Sequence, residues 1–231
     1  MTYNPFSRDG GETTSIQRTT AHESVRERIR EAILGGRLPA GSRLVQSEIA
    51  GHLGVSTTPV REALRDLASE GLVEFDSFRG AVVHELSFEE VEEVYELRGV
   101  LEPVAIRRAV AHITPEELGR AEGLTRQMER ETDPARWTEL NREFHGILLQ
   151  PGISKRLHGI LRSLRDAASA YVAFSLTTRP DRMAIANDDH RGILDAYRDG
   201  YADRAVELAT HHLAATVDII RLALTEERAT S

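Results

Sequence analysis

The chain contains no cysteine, which excludes disulfides, thiolate nucleophiles and cysteine-bound zinc. Lysine is almost missing too: Lys155 is the sole example, so arginine supplies nearly all of the 29 basic residues. Against them stand 37 acidic residues, a formal net charge of −8, which argues against a protein that coats nucleic acid or anionic membrane over its whole surface. No apolar run reaches the roughly 18 residues of a membrane-spanning helix. A basic, apolar, small-residue leader is also lacking, so a cytoplasmic protein with no membrane partner is expected. If DNA is the partner, positive charge must be gathered locally.

What is present is a chain of 231 residues, long enough for one large domain or two modest ones. Residues 1–20 are polar, rich in Thr, Ser and Gly and without periodicity, and are expected to form a mobile N-terminal tail. From Ala21 helical spacing sets in: Val25, Ile29, Ile33 and Leu34 recur on one face until Gly35 and Gly36 end the run. A short helix is predicted from about Ser47 to Leu53, and a second from about Thr58 to Glu70, with Pro59 in its first turn and Ser56 or Thr57 as its cap. LVEF and AVVHE flank DSFRG as a β-hairpin whose tip lies near Arg79 and Gly80. Beyond Leu86 strand signals vanish. Helical patterns cover Phe88 to Ala111, Pro115 to Glu131, Pro134 to Leu149, Ser154 to Leu176, Arg182 to Arg198 and Ala202 to Glu227, as in an antiparallel bundle.

The fold class is therefore mainly α: a winged helix-turn-helix over residues 21–86, then an all-helical bundle of about six helices over residues 87–231. In the first part, Ile49, Ala50 and Leu53 of one helix face Val60, Ala63 and Leu64 of the next, and Gly54 occupies the turn, where positive φ is wanted. Such a second helix presents its N-terminal residues to the major groove. Ser56, Thr57, Thr58, Arg61 and Arg65 stand there, and Arg79 with Gly80 on the hairpin can reach the DNA backbone or minor groove. Arg61 is the candidate for a bidentate guanine contact. The alternative is a small helical subdomain whose arginines pair with Glu62, Asp66 and Glu70 at helical spacing. The 10 basic and 12 acidic residues of Met1 to Leu86 decide neither way.

The stretch LGVSTTPVREALRDLASEGLV resembles the DNA-binding domain of the GntR superfamily of bacterial transcription regulators. VEEVYELRGVLEPVAIRRAV is similar to the start of the all-helical ligand-binding domain of its FadR branch, called FCD. The resemblance implies a homodimer on a short palindromic operator. The family usually carries arginine where Thr57 stands, and often where Ser47 stands, and both positions commonly contact DNA.

The histidines of the second part follow a pattern of their own. Asn141 and His145 stack at i and i+4 beside Trp137, Phe144 and Leu148. His190 shares a stripe with Met183, Ala186, Ile193 and Tyr197, and His212 with Ala205, Leu208, Ala215 and Ile219. His190 and His212 each lie eleven residues from Tyr201, so an antiparallel pair turning there brings them level. Three inward imidazoles and an amide oxygen can meet around a divalent cation, or each histidine can be satisfied separately in the core. FCD domains imply the first. Many hold a metal through an acidic residue four before a histidine and two histidines on the last two helices. Asn141 stands where aspartate is commoner. Zinc is the first candidate, with nickel or manganese as alternatives. Arg98 either reaches this cavity to clamp a carboxylate or pairs at the surface with Glu102.

The expected function is a metabolite-responsive, DNA-binding transcription repressor rather than an enzyme. Its effector is expected to be a small organic acid, either a carboxylate or a sugar acid. A metal-dependent hydrolase built on the histidines, or a pure metal sensor, is the alternative.

Overall fold

The computed structural model describes residues 21–85 and 87–230, with side-chain detail as far as Thr225. The expected tail of residues 1–20 lies outside the described residues. By internal packing the chain divides into two compact units, Met1–Leu86 and Ser87–Ser231.

The first unit runs α1 (Ala21–Leu34), α2 (Gln46–Leu53), α3 (Thr57–Ser69), β1 (Val73–Asp76) and β2 (Gly80–Val83). Helix α3 carries its apolar residues on one face. Val60, Ala63, Leu64 and Leu67 are fully buried between α1, α2 and β1. Gly54 takes φ +68 as the C-cap of α2, a left-handed conformation that side chains other than glycine rarely adopt. Ser56 is the N-cap of α3, yet its side chain makes no capping bond, contrary to the sequence expectation. The hairpin pairs Val73 with Val83 and Asp76 with Gly80. Its tip is accordingly Ser77 to Arg79, slightly earlier than expected. The segment before α2 lies along the free edge of β2: the Gly41 and Leu44 N–H groups donate to Val83 and Ala81 carbonyls at 2.9 and 2.8 Å.

The second unit is a bundle of six helices: α4 (Phe88–Val110), α5 (Pro115–Met128), α6 (Pro134–Leu149), α7 (Lys155–Thr178), α8 (Arg182–Arg198) and α9 (Ala202–Thr230). Their starts are written locally. Thr114 and Glu117 form a reciprocal capping box ahead of Pro115, Asp133 caps α6 ahead of Pro134, and Ser154 caps α7. The core gathers Ile106, Met128, Trp137, Phe144, Leu161 and Tyr197, each almost wholly excluded from solvent. Helix α4 packs on α6, α7 and α9, and α8 packs on α5 and α9, so the inward faces of α4, α6, α8 and α9 converge on one interior. No helix among the described residues is long and apolar enough to cross a membrane.

Candidate functional site: nucleic-acid interface and metal centre

At the start of α3, Ser56, Thr57, Thr58, Arg61 and Arg65 are all exposed, as is Ser47 at the start of α2. The first backbone N–H groups of a helix have no intrahelical partner and carry partial positive charge, so this end is suited to phosphate. Of the acidic residues near these arginines, Glu62 is exposed, whereas Asp66 and Glu70 are engaged by α1. Asp66 meets His22 of α1 at 2.9 Å and Arg26 at 3.8 Å. Glu70 is buried against Arg30, whose guanidinium is fully enclosed. Arg61 and Arg65 make no ion pair among the described residues, not even with Glu62 three residues before Arg65. Asp66 and Glu70 hold α1 in place, and Arg61 and Arg65 are left to the solvent.

The hairpin tip is built by Asp76, whose carboxylate accepts N–H bonds from Phe78 at 2.7 Å and Arg79 at 2.6 Å. Those two bonds hold the Asp76 carboxyl below its usual range. Arg79 and Gly80 are exposed there beside Phe78, which is 96% exposed and was not singled out in the sequence.

In the helical unit the three histidines named from sequence are brought together. His145 and His190 have ring centroids 5.1 Å apart, His190 and His212 4.8 Å, and His145 and His212 5.5 Å. Their nearest nitrogens all lie within 4.8 Å of one another. Nitrogens on one tetrahedral ion are roughly 3.3 Å apart, a difference that small side-chain rotations span. All three residues are buried, and Trp137 stacks on the His190 ring at 5.7 Å with its indole N–H donated to Asn187. The indole thereby fixes the wall against which His190 rests.

Protonation and hydrogen bonding suit these groups to ligation. Burial, then the neighbouring imidazoles, push His145 and His190 well below the usual histidine range, so both are neutral at physiological pH. Neither nitrogen of His190 has a hydrogen-bond partner, and the Asn141 Oδ1 is also buried without one. Such orphaned groups each cost about 1–3 kcal/mol in a folded protein. A cation taking a lone pair from one His190 nitrogen and from the Asn141 oxygen relieves part of that cost, so the residues present fit a metal. His212 Nδ1 lies 3.0 Å from the Asp189 carboxylate, which leaves Nε2 as its free nitrogen. Asp189 was missed in the sequence. Its one signal is its place just before His190, at the level where α8 and α9 face each other.

Beside the imidazoles lies a cavity of about 460 Å³, its mouth included, lined among others by Tyr95, Arg98, Asn141, His145 and His212. Arg98 lines this cavity and also donates to Glu102 at 2.8 Å. The Glu102 pair is not at the surface, because both side chains are buried under the packing of α4. The sequence had set these readings against each other; the structure combines them.

Comparison with known proteins bears on both units. Residues 21–83 match the family model described as bacterial regulatory proteins, gntR family, and residues 93–215 match the FCD domain. The chain is 31% identical over 202 residues to a probable D-xylose utilization operon transcriptional repressor of Paenarthrobacter nicotinovorans, covering 87% of this chain and 88% of that protein. The crystal structure of a GntR-family transcriptional regulator from Pseudomonas syringae pv. tomato is 31% identical, with 91% and 88% of the two chains covered and a TM-score of 0.57. Escherichia coli McbR/YncC shares the fold at a TM-score of 0.76 and 20% identity, over 88% and 98% of the two chains. The chain thus belongs to the gntR family of bacterial regulators that carry an FCD domain. It is a DNA-binding transcription regulator and not an enzyme, which removes the hydrolase alternative.

Proposed function

We propose that this regulator is a repressor that acts as a homodimer on a palindromic operator and is controlled by a small organic acid. The organic acid, a carboxylate or sugar acid, enters the histidine cavity of the helical unit. His145, His190 and His212 with the Asn141 amide oxygen would hold a divalent metal, zinc first, with nickel or manganese as alternatives. The metal would supply a Lewis-acidic centre for one carboxylate of the effector, and Arg98 would face the same carboxylate from α4. Ser47, Ser56, Thr57, Thr58, Arg61, Arg65, Arg79 and Gly80 form the DNA-facing set, with Arg61 reading a base and most of the others holding phosphates. Effector binding would bias the spacing of the two recognition helices, which must match the helical repeat of DNA.

The observation that carries this reading is His190, fully buried with both ring nitrogens unpartnered and two more imidazoles against it. The name of the Paenarthrobacter relative supports repression as the direction.

The test joins metal analysis of the purified protein with release of an operator fragment from its own locus by a panel of small carboxylates. Wild type should retain about one metal per chain and release operator with at least one acid. His145→Ala should lose both properties. Unchanged metal content and effector response in that variant would refute the site, and release by metal alone would favour a pure metal sensor.

A further inference from the structure

A second hollow adjoins the histidine cavity between α4, α6 and α7, about 270 Å³ with its open mouth included. Arg98, Asn141, His145 and Val172 line both, so the two spaces share one wall. Three guanidinium groups border the second hollow: those of Arg98, Arg142 and Arg165. Arg165 is 6% exposed, and its Nε and Nη1 are buried with no hydrogen-bond partner. No carboxylate among the described residues pairs with it. Glu102 is taken by Arg98 at 2.8 Å, while Asp166 is shared by Arg142 at 3.4 Å and Arg162 at 3.5 Å. Four arginines thus share two carboxylates, and Arg165 is the one left over.

A buried guanidinium without an anion is costly, and arginine's donor fork matches a carboxylate or phosphate in two parallel bonds. Burial draws the Arg165 pKa down to about 10, against the opposing pull of Glu102 and Asp166, so the group is still charged at neutral pH. The lone charge faces a space continuous in its lining with the histidine site. We infer that Arg165 anchors a second anionic group of the effector, which makes the ligand class a small organic dianion. One carboxylate lies at the histidine end, and a second carboxylate or a phosphate lies at the Arg165 end. Arg142, whose Nε is likewise buried and unpartnered, stands beside that second group. This rests on the reading that a small acid enters the histidine cavity, and it adds that one negative charge does not satisfy the site.

The experiment uses the full, zinc-loaded chain and matched probes: succinate against butyrate, glutarate against valerate, and 3-phosphoglycerate against glycerate. Binding is measured by calorimetry and by thermal shift. In wild type at least one dianion should bind about 10–100-fold tighter than its matched monoanion, and the tighter probe identifies carboxylate or phosphate as the second group. Arg165→Met, similar in length but neutral, should abolish that preference, leave monoanion binding unchanged and not lower the melting temperature of the ligand-free protein. If Arg165→Met does not fold, Arg165→Lys takes its place and should reduce the preference without removing it. Equal binding of both members of every pair, or an equal loss for both in the variant, overturns the inference. Binding that needs His145 but shows no charge preference overturns it alone. Absence of binding by any acid overturns it together with the effector reading.

Discussion

Acid should destabilise the metal-free helical unit through His145 and His190. In the unfolded chain each imidazole takes a proton near its ordinary value of 6.5. In the native bundle, burial and then the charges of neighbouring imidazoles hold both far below that value. Below about pH 6.5 the unfolded state therefore binds protons that the native state refuses, so stability is complete above that pH and declines as pH falls. Each histidine contributes a slope of about 1.4 kcal/mol per pH unit, and at about pH 5.5 the pair together cost about 3 kcal/mol. That is a large share of the about 5–15 kcal/mol by which domains are stable. Trp137, the sole tryptophan, stacks on His190 and reports this unit alone. Urea titrations followed by its fluorescence, in chelator at about pH 7.5 and about pH 5.5, should show wild type losing about 3 kcal/mol more than a chain carrying both His145→Gln and His190→Gln. Saturating zinc should raise wild-type stability at the higher pH by about 2–4 kcal/mol and by much less at the lower, since metal and protons compete for the same nitrogens. Equal acid sensitivity in wild type and the doubly substituted chain would refute the neutral, buried imidazoles.

Other perturbations act on separate parts of the molecule. Asp189→Asn should leave the three imidazoles in place yet weaken zinc binding by about 10–100-fold, measured by competition with a chelating dye, because His212 loses the carboxylate that orients it. Arg61→Ala should cost about 1–3 kcal/mol on the operator and relax preference at one base position, whereas Arg65→Ala should weaken all sequences alike and lower the salt slope by about 1. Glu70→Ala strips the fully buried Arg30 of its main partner and should destabilise the first unit by about 3–5 kcal/mol, visible as faster hydrogen exchange in α1 and α3.

Features written in short stretches of sequence were legible. Pro59, Pro115 and Pro134 mark helix starts, Gly54 marks the turn, and the apolar stripes give the buried faces. The equal spacing of His190 and His212 about Tyr201, with His145 stacked on Asn141, was enough to gather the metal candidates because antiparallel helices keep their levels. What escaped depends on contacts between distant elements. Of the acids weighed as partners for Arg61 and Arg65, only Glu62 stands three residues from Arg65, and only packing shows that α1 takes Asp66 and Glu70. A surface pair of Arg98 with Glu102 stood open beside the cavity reading because the i, i+4 rule says nothing of burial. Arg165 is one of several arginines on α7, and no local pattern separates it from exposed Arg162. Asp189 meets its partner 23 residues away across two helices.

The net charge of −8 is a poor guide to either partner, because sign is set locally within about one Debye length of 8–10 Å. At the start of α3, Arg61 and Arg65 are exposed and unpaired while Asp66 is turned to α1. In the helical unit the local sign is positive because four arginines share two carboxylates. Asn141 extends the same imbalance. A carboxylate there would cancel one charge of a bound divalent ion, whereas a neutral amide leaves the full charge facing the cavity. A metal held there would be bound less firmly by protein alone and more firmly once an anion joined it. Because coupling between two ligands is reciprocal, an acid that binds through the metal must raise metal affinity by the factor by which the metal raises its own. On the proposed function, the neutral residue at this position would tie occupancy of the metal site to the presence of the effector.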